Sequence, residues 1–288
     1  MDLLLQLLVN GFINGCHYAL LGVGFGLIFA TTQVVHFAYG PIYALTAYIA
    51  WYTATALGAP LWLAVLIAAA AAAVIGPVTY LGVYRPFQRR QSSDLVILIA
   101  SLGLLIVIEN LIGILFGAGS RVIEGVNFSV FLWGPVVFTG VHVWQVASLA
   151  VIGGALFLFL RYTRFGKAIL AMTDNPEMAR IVGIDTRRVS IAVFAIGSAV
   201  AAAPAVLVLL KDSATPHMGF HAVFMAFVAV VIGGIGSLRG AVLGGMLLGL
   251  AEGVGLWGIP TEWQSSIAFI VLFVVILLRP QGLLGQRT

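Results

Sequence analysis

Charge is what this sequence has least of. Its 288 residues include fourteen Lys and Arg and ten Asp and Glu, 8% in all, against roughly 25% in a soluble domain. The hydrophobic share is 61% and the mean hydropathy is +1.12. No soluble core hides so much apolar surface, so the chain reads as an integral membrane protein. The net charge of +4 therefore reports topology before it reports any affinity for nucleic acid.

Cysteine is almost absent. Cys16 stands alone in an apolar run, which excludes an intrachain disulfide and a thiolate–metal cluster. The opening "MDLLLQLLVNGF" has no basic residue and carries Asp2, so it reads as a retained span rather than a secretory signal. No G-x-x-x-x-G-K-[ST] phosphate loop occurs, and any ATP chemistry must lie on a partner. Neither a serine–base pair nor a histidine dyad in neighbouring spans presents itself, so no catalytic residue is assigned. No cofactor is expected. His217 and His221 lie four apart, but a zinc site needs a third ligand and Gly219 between them weakens a helix, so no metal is expected either. His17 and His142 fall in no pattern that points to a role.

Long apolar runs are what the sequence has in plenty. Candidate spans fall at about 4–30, 34–57, 61–84, 95–116, 144–161, 189–210, 222–235, 241–257 and 265–279. The first is open to a break at Asn10-Gly11 or Asn14-Gly15, and the seventh is short. The expected fold is an all-α polytopic bundle of eight or nine spans, forming one transmembrane domain over 1–288. Its basic residues cluster in three places: Arg85, Arg89 and Arg90; Arg161, Arg164, Lys167, Arg180, Arg187 and Arg188; and Arg279 and Arg287. The positive-inside rule makes these three segments cytoplasmic, with the N-terminus outside. The loops at 117–143, "KDSATPHMGFH" and "GIPTEW" (with Glu262) then face outward, and Trp133, Trp144 and Trp263 suit the interfacial belt.

The segment 161–189, "RYTRFGKAILAMTDNPEMARIVGIDTRRV", holds nine of the charged residues. Phe165, Ala168, Ile169 and Met172 recur at helical spacing. Asn175 then suits an N-cap, Pro176 the first helical position and Gly183 a C-terminal stop. Met178, Ile181 and Val182 form a small apolar face between them. A short capped helix with one apolar face and basic flanks is built either to dock on a partner or to lie in the lipid interface.

Here "EMARIVG" resembles the E-x-A-x-x-x-G coupling motif of ATP-binding-cassette importer permeases, with Glu177, Ala179 and Gly183 at its fixed positions. The whole basic segment, with "NGCHYALLGVGFGLIFA", "GGIGSLRGAVLGGMLLGLAE" and "LRPQGLLG", resembles the branched-chain (hydrophobic) amino acid permease family, closest to its shorter, H-type subunit. The resemblance implies a sister permease, two ABC ATPase subunits docked on a cytoplasmic coupling loop at about 162–188, and an extracytoplasmic solute-binding protein. It also implies a bacterial inner-membrane location. The solute would be a branched-chain or other small amino acid, or a related amide or acid.

Polar groups inside the spans are the candidates for the path. Glu109 and Asn110 lie mid-span in "LLIVIENLIGILF", where an ionisable residue costs at least ~2.5 kcal/mol. Glu252 lies near a span end and reads as an interfacial acid. Gly236, Gly240 and Gly244 are four apart, as are Gly245 and Gly249; this spacing lets helix backbones approach, and "GSLRG" also interrupts the apolar run. His36 and Tyr39 lie one turn apart in "HFAYG". The resembled family usually has N-F-A-H-G there, so at this break the resemblance does not carry the aliphatic substrate over. A stand-alone secondary transporter or channel is the competing class, and Glu109 is its strongest coupling candidate.

Overall fold

The structure, a computed structural model, describes residues 2–126, 128–258, 260 and 263–285. Glu262 and Arg287 lie outside them. α1 runs unbroken from Asp2 to Thr32, so neither expected break occurs. The reason is packing: Gly11 and Gly15 are where another helix comes close. A β-carbon on Gly11 would lie 2.7 Å from the Gly249 carbonyl oxygen, and one on Gly15 would lie 3.0 Å from the Met246 Cα. Asn10 does not unwind the helix either, because its side-chain oxygen accepts from Gln6 Nε2 at 2.9 Å.

α2 spans Tyr39–Thr55, later than the sequence suggested, because a turn closes first, with Tyr39 N donating to His36 O at 3.0 Å. α3 (Leu61–Thr79) runs through a π-helical turn at Tyr80–Tyr84 into α4 (Arg85–Arg89). α5 spans Asp94–Phe116 and stops at Gly117, whose φ of +85° glycine adopts without strain. The bundle is mostly helical, as expected, with one short strand pair added to it. β1 (Val130–Trp133) and β2 (Val136–Thr139) pair antiparallel, Trp133 opposite Val136. Their β-branched and aromatic residues favour strand. Gln6 ties this hairpin to α1 by exchanging two hydrogen bonds with the Val137 backbone, at 2.7 and 3.0 Å.

α6 (Gly140–Ser148) continues through a π-helical turn at Leu149–Gly153 into α7 (Gly154–Tyr162). Two short helices follow, α8 (Arg164–Asp174) and α9 (Pro176–Ile181). α10 (Thr186–Val200) and α11 (Ala202–Lys211) form one run, and α12 (Met218–Gly233), α13 (Leu238–Gly255) and α14 (Gln264–Leu278) complete the bundle. Among the described residues, six helical runs are long and apolar enough to cross a membrane: 2–32, 61–89, 94–116, 140–162, 186–211 and 238–255. α2, α12 and α14 are shorter, at 17, 16 and 15 residues.

α1 is the axis of the bundle. Leu20, Leu21, Phe25 and Ile28 are wholly enclosed, and α10, α12 and α13 pack around them. The outer helices instead keep bare apolar faces, with Ile114 and Leu115 on α5, Val151 and Leu158 on the α6–α7 run and Leu277 and Leu278 on α14. Large exposed aliphatics on long apolar helices suit contact with lipid or with another membrane subunit.

Two of the basic segments meet at one end. Arg85 and Arg89 share a cleft of about 620 Å³ with Arg180 and Arg187. The C-terminal segment folds under the α12–α13 turn, where Leu283 N donates to Ile232 O at 2.9 Å and Leu284 N to Gly233 O at 2.8 Å.

Candidate functional site

The short α9 forms as its sequence dictates. Asn175 caps it, its side-chain oxygen accepting from Met178 N at 2.9 Å, and Pro176 occupies the first turn, where a missing N–H costs nothing. Gly183 ends it at φ +88°, and Ile184 N returns to Ala179 O at 3.0 Å, closing the end in the manner of a glycine stop. Met178, Ile181 and Val182 are exposed, Ile181 by 78%. This leaves an uncovered apolar triad beside Arg180 and Glu177, a surface that suits either a docking partner or the lipid interface.

Ala179 does not belong to that surface. It is 3% exposed and packs into this chain's own core. A small side chain at this position therefore reflects close packing inside the chain, and not a partner pressing on it. α8 supplies part of the floor with Ile169 and Met172, both buried. Thr163 starts α8, its hydroxyl oxygen accepting from Gly166 N at 2.9 Å. Asp185 starts α10 by accepting from Arg187 N and Arg188 N at 3.1 Å each. Thr and Asp are both favoured N-cap residues, so both caps are encoded locally.

His36 and Tyr39 lie deep in the chain, each 0% exposed. His36 Nδ1 is 2.8 Å from the Tyr84 hydroxyl, which donates to Ser101 Oγ at 3.2 Å; the Phe37 backbone N–H donates to the same oxygen at 2.6 Å. This polar thread joins the α1–α2 connection to α5 and to the π-helical turn after α3. His36 Nε2 is buried without a partner. The His36 ring also stands edge-on to Phe194, with centroids 5.0 Å apart. Tyr39 turns away and donates to Leu21 O at 3.3 Å. Tyr84 and Ser101 were invisible in the sequence because they lie 48 and 65 positions from His36, on other helices.

Glu109 is mostly buried, its side chain 12% exposed, and accepts from His217 Nδ1 at 2.9 Å. It thus lies against the 212–217 connection between α11 and α12, and not against the bundle interior. Asn110 is exposed and donates back to Ile106 O at 2.8 Å. Glu252 corrects its reading as an interfacial acid. It is 1% exposed, and its Oε2 accepts from the Tyr18 hydroxyl at 2.9 Å and from Gln264 Nε2 at 3.0 Å. Two donors from α1 and α14 offset part of the cost of burying this carboxyl group, while its Oε1 is buried without a partner.

The glycines of α13 form two seams. Gly240 and Gly244 face α12, where a β-carbon on Gly244 would lie 2.0 Å from Ala229 O. Gly245, Gly249 and Gly253 face α1. Gly236 sits in the α12–α13 turn at φ +91°, with open space around it.

A helical bundle with a buried axial helix, an apolar outer wall, polar threads between helices and one uncovered capped helix at its basic end is the architecture of a polytopic membrane protein. The family described as "Branched-chain amino acid transport system / permease component" matches residues 7–276. The chain is 32% identical to the high-affinity branched-chain amino acid transport system permease protein LivH of Escherichia coli (strain K12), over 98% of this chain and 96% of that one. It is 33% identical to the corresponding permease protein BraD of Pseudomonas aeruginosa, with the same coverage. Among solved structures, PsaBC from Streptococcus pneumoniae in complex with Fab shares the fold, at TM-score 0.53 and 16% identity over 94% of this chain and 91% of that one. The chain belongs to the family of branched-chain amino acid transport permease components.

Proposed function

We propose that this chain is a membrane-spanning subunit of a binding-protein-dependent ABC importer, forming the path for branched-chain or other small amino acids or related amides and acids. The carrying observation is the uncovered apolar triad Met178, Ile181 and Val182 on a helix capped by Asn175 and stopped by Gly183. Such a knob fits a groove on an ATPase subunit and transmits its closure to α8 and α10, against which α9 rests. Pro176 and Glu177 complete the coupling helix, Ala179 anchors it from behind, and the loop at about 162–188 is its mount.

The basic segments at one end of the bundle support a cytoplasmic C-terminus and an outer N-terminus in a bacterial inner membrane. α2, α12 and α14 cross with the six longer runs, which gives nine spans. The bare faces of α3, α5 and α14 leave room for a sister permease. An extracytoplasmic solute-binding protein delivers the solute at the opposite end, and His36, Tyr39, Glu109 and Asn110 are the residues whose variants test where the path runs.

The reading is tested by reconstituting the chain with its sister permease and ATPases in vesicles and measuring ATP-driven uptake of leucine, alanine and small amides in the presence of the binding protein. Uptake that continues without ATP, driven by an ion gradient, would overturn it.

A further inference from the structure

At the end of the bundle remote from the arginine cleft, a cavity of about 320 Å³ opens among α1, α2, α6, α11 and α12. It is of the size that holds one small ligand. Two polar atoms on its lining residues are buried without a hydrogen-bond partner: Gln145 Oε1, and His17 Nδ1, which accepts in the Nε2–H tautomer. Gln145 itself is 3% exposed. A buried acceptor left unmatched costs more than an ordinary hydrogen bond returns, so such atoms call for a donor.

The cavity wall also carries both signs of charge. Lys211 ends α11 and Asp212 follows it; both are exposed and line the cavity. Among the described residues neither forms an ion pair. Val208, Met218 and Ala222 add an apolar wall. Tyr18 and Gln264, on another side, are held in place by their hydrogen bonds to Glu252, which gives that buried carboxylate a structural purpose.

We propose that this cavity is a binding site for a zwitterionic amino acid inside a single permease subunit. The ammonium group donates to Gln145 Oε1, His17 Nδ1 and Asp212, the carboxylate accepts from Lys211, and a small aliphatic side chain rests on Val208 and Met218. A neutral solute would leave the charged pair unused, and a simple anion would leave the buried acceptors unmatched. The proposal rests on the amino-acid import reading and deepens it, because the site lies within one chain and apart from His36 and Tyr39.

The test is calorimetric titration of the purified transporter complex, without binding protein or nucleotide, using leucine, leucine amide and 4-methylpentanoate. Leucine is expected to bind weakly but measurably, and the two half-ligands about tenfold more weakly still or worse. Gln145→Leu and Lys211→Met should each weaken leucine by about tenfold or more, and Gln145→Glu should retain it. Lys211 is exposed, so its variant reports on the site even where Gln145→Leu fails to fold. ATP-driven leucine uptake by the wild-type complex is the control. Uptake without calorimetric binding, or leucine binding by Lys211→Met equal to the wild type, overturns the site alone. Absence of uptake for every amino acid overturns the import reading and the site with it.

Discussion

A β-carbon on Gly249 would lie 2.2 Å from the Gly15 backbone nitrogen, so α13 and α1 touch backbone to backbone. In a membrane, where apolar side chains gain little by leaving lipid, such close approach is itself the source of helix association. Gly249→Val should force the helices apart and cost about 1–3 kcal/mol or more. A β-carbon on Gly103 meets nothing within 4 Å, so Gly103→Ala should be neutral or slightly stabilising. Thermal unfolding of the two purified variants in detergent checks the contrast, and an equal effect at both positions would refute the seam.

The burial of Ala179 divides the coupling helix into two kinds of position. Ile181→Asp changes only an exposed side chain, so the permease should insert and assemble while ATPase stimulation by the loaded binding protein is lost. Ala179→Glu buries a carboxylate in the α8–α10 corner, so it should lower the yield of folded protein as well. Gly183→Leu meets no neighbour but strains a residue at φ +88°, at a cost of about 1–2 kcal/mol. Its uptake should fall with assembly intact. Wild-type uptake and ATPase rates in Ile181→Asp and Gly183→Leu would show that the helix merely rests on lipid.

The thread through His36 predicts unequal effects at His36 and Tyr39. His36→Leu strips the Tyr84 hydroxyl of its 2.8 Å partner and should reduce uptake severely. Tyr39→Phe removes a longer 3.3 Å bond, worth about 1 kcal/mol or less, and should reduce uptake modestly. Neither variant should alter the binding protein's affinity for solute. Reconstituted uptake at saturating binding protein, with an assembly check, decides this. Wild-type rates in both variants would make these residues packing groups and move attention to Glu109.

Topology is open to a direct chemical test in a Cys16→Ala background. Ser92→Cys and Thr186→Cys line the arginine cleft and should resist membrane-impermeant thiol reagents in intact cells. Ser120→Cys and Ser213→Cys lie at the opposite end and should react. Labelling of Thr186→Cys from outside would reverse the orientation.

Periodicity and caps are local, and local features were legible. The apolar runs, the Asn175 cap and the Gly183 stop each follow from residues within about one turn of each other, where backbone hydrogen bonding and side-chain spacing decide the conformation. The strand pair at 130–139 was missed because two four-residue strands in an outer loop give little periodic signal against long apolar helices. The supposed breaks in α1 were misread for a related reason. Asn-Gly is a turn signal in water, but in α1 the same glycines make room for α13.

The sequence by itself determined that the chain is a membrane protein built of apolar helices, which segments carry the positive charge and where the short helix begins and ends. These depend on hydropathy, charge and capping, all carried by neighbouring residues. Only the tertiary structure decided which polar groups meet. His36 finds Tyr84 and Ser101, Glu252 finds Tyr18 and Gln264, and Glu109 finds His217. Partner choice across helices depends on their rotation and depth, which follow from the glycine seams and from shape-matched packing of whole faces, and no residue's neighbours in the chain encode it.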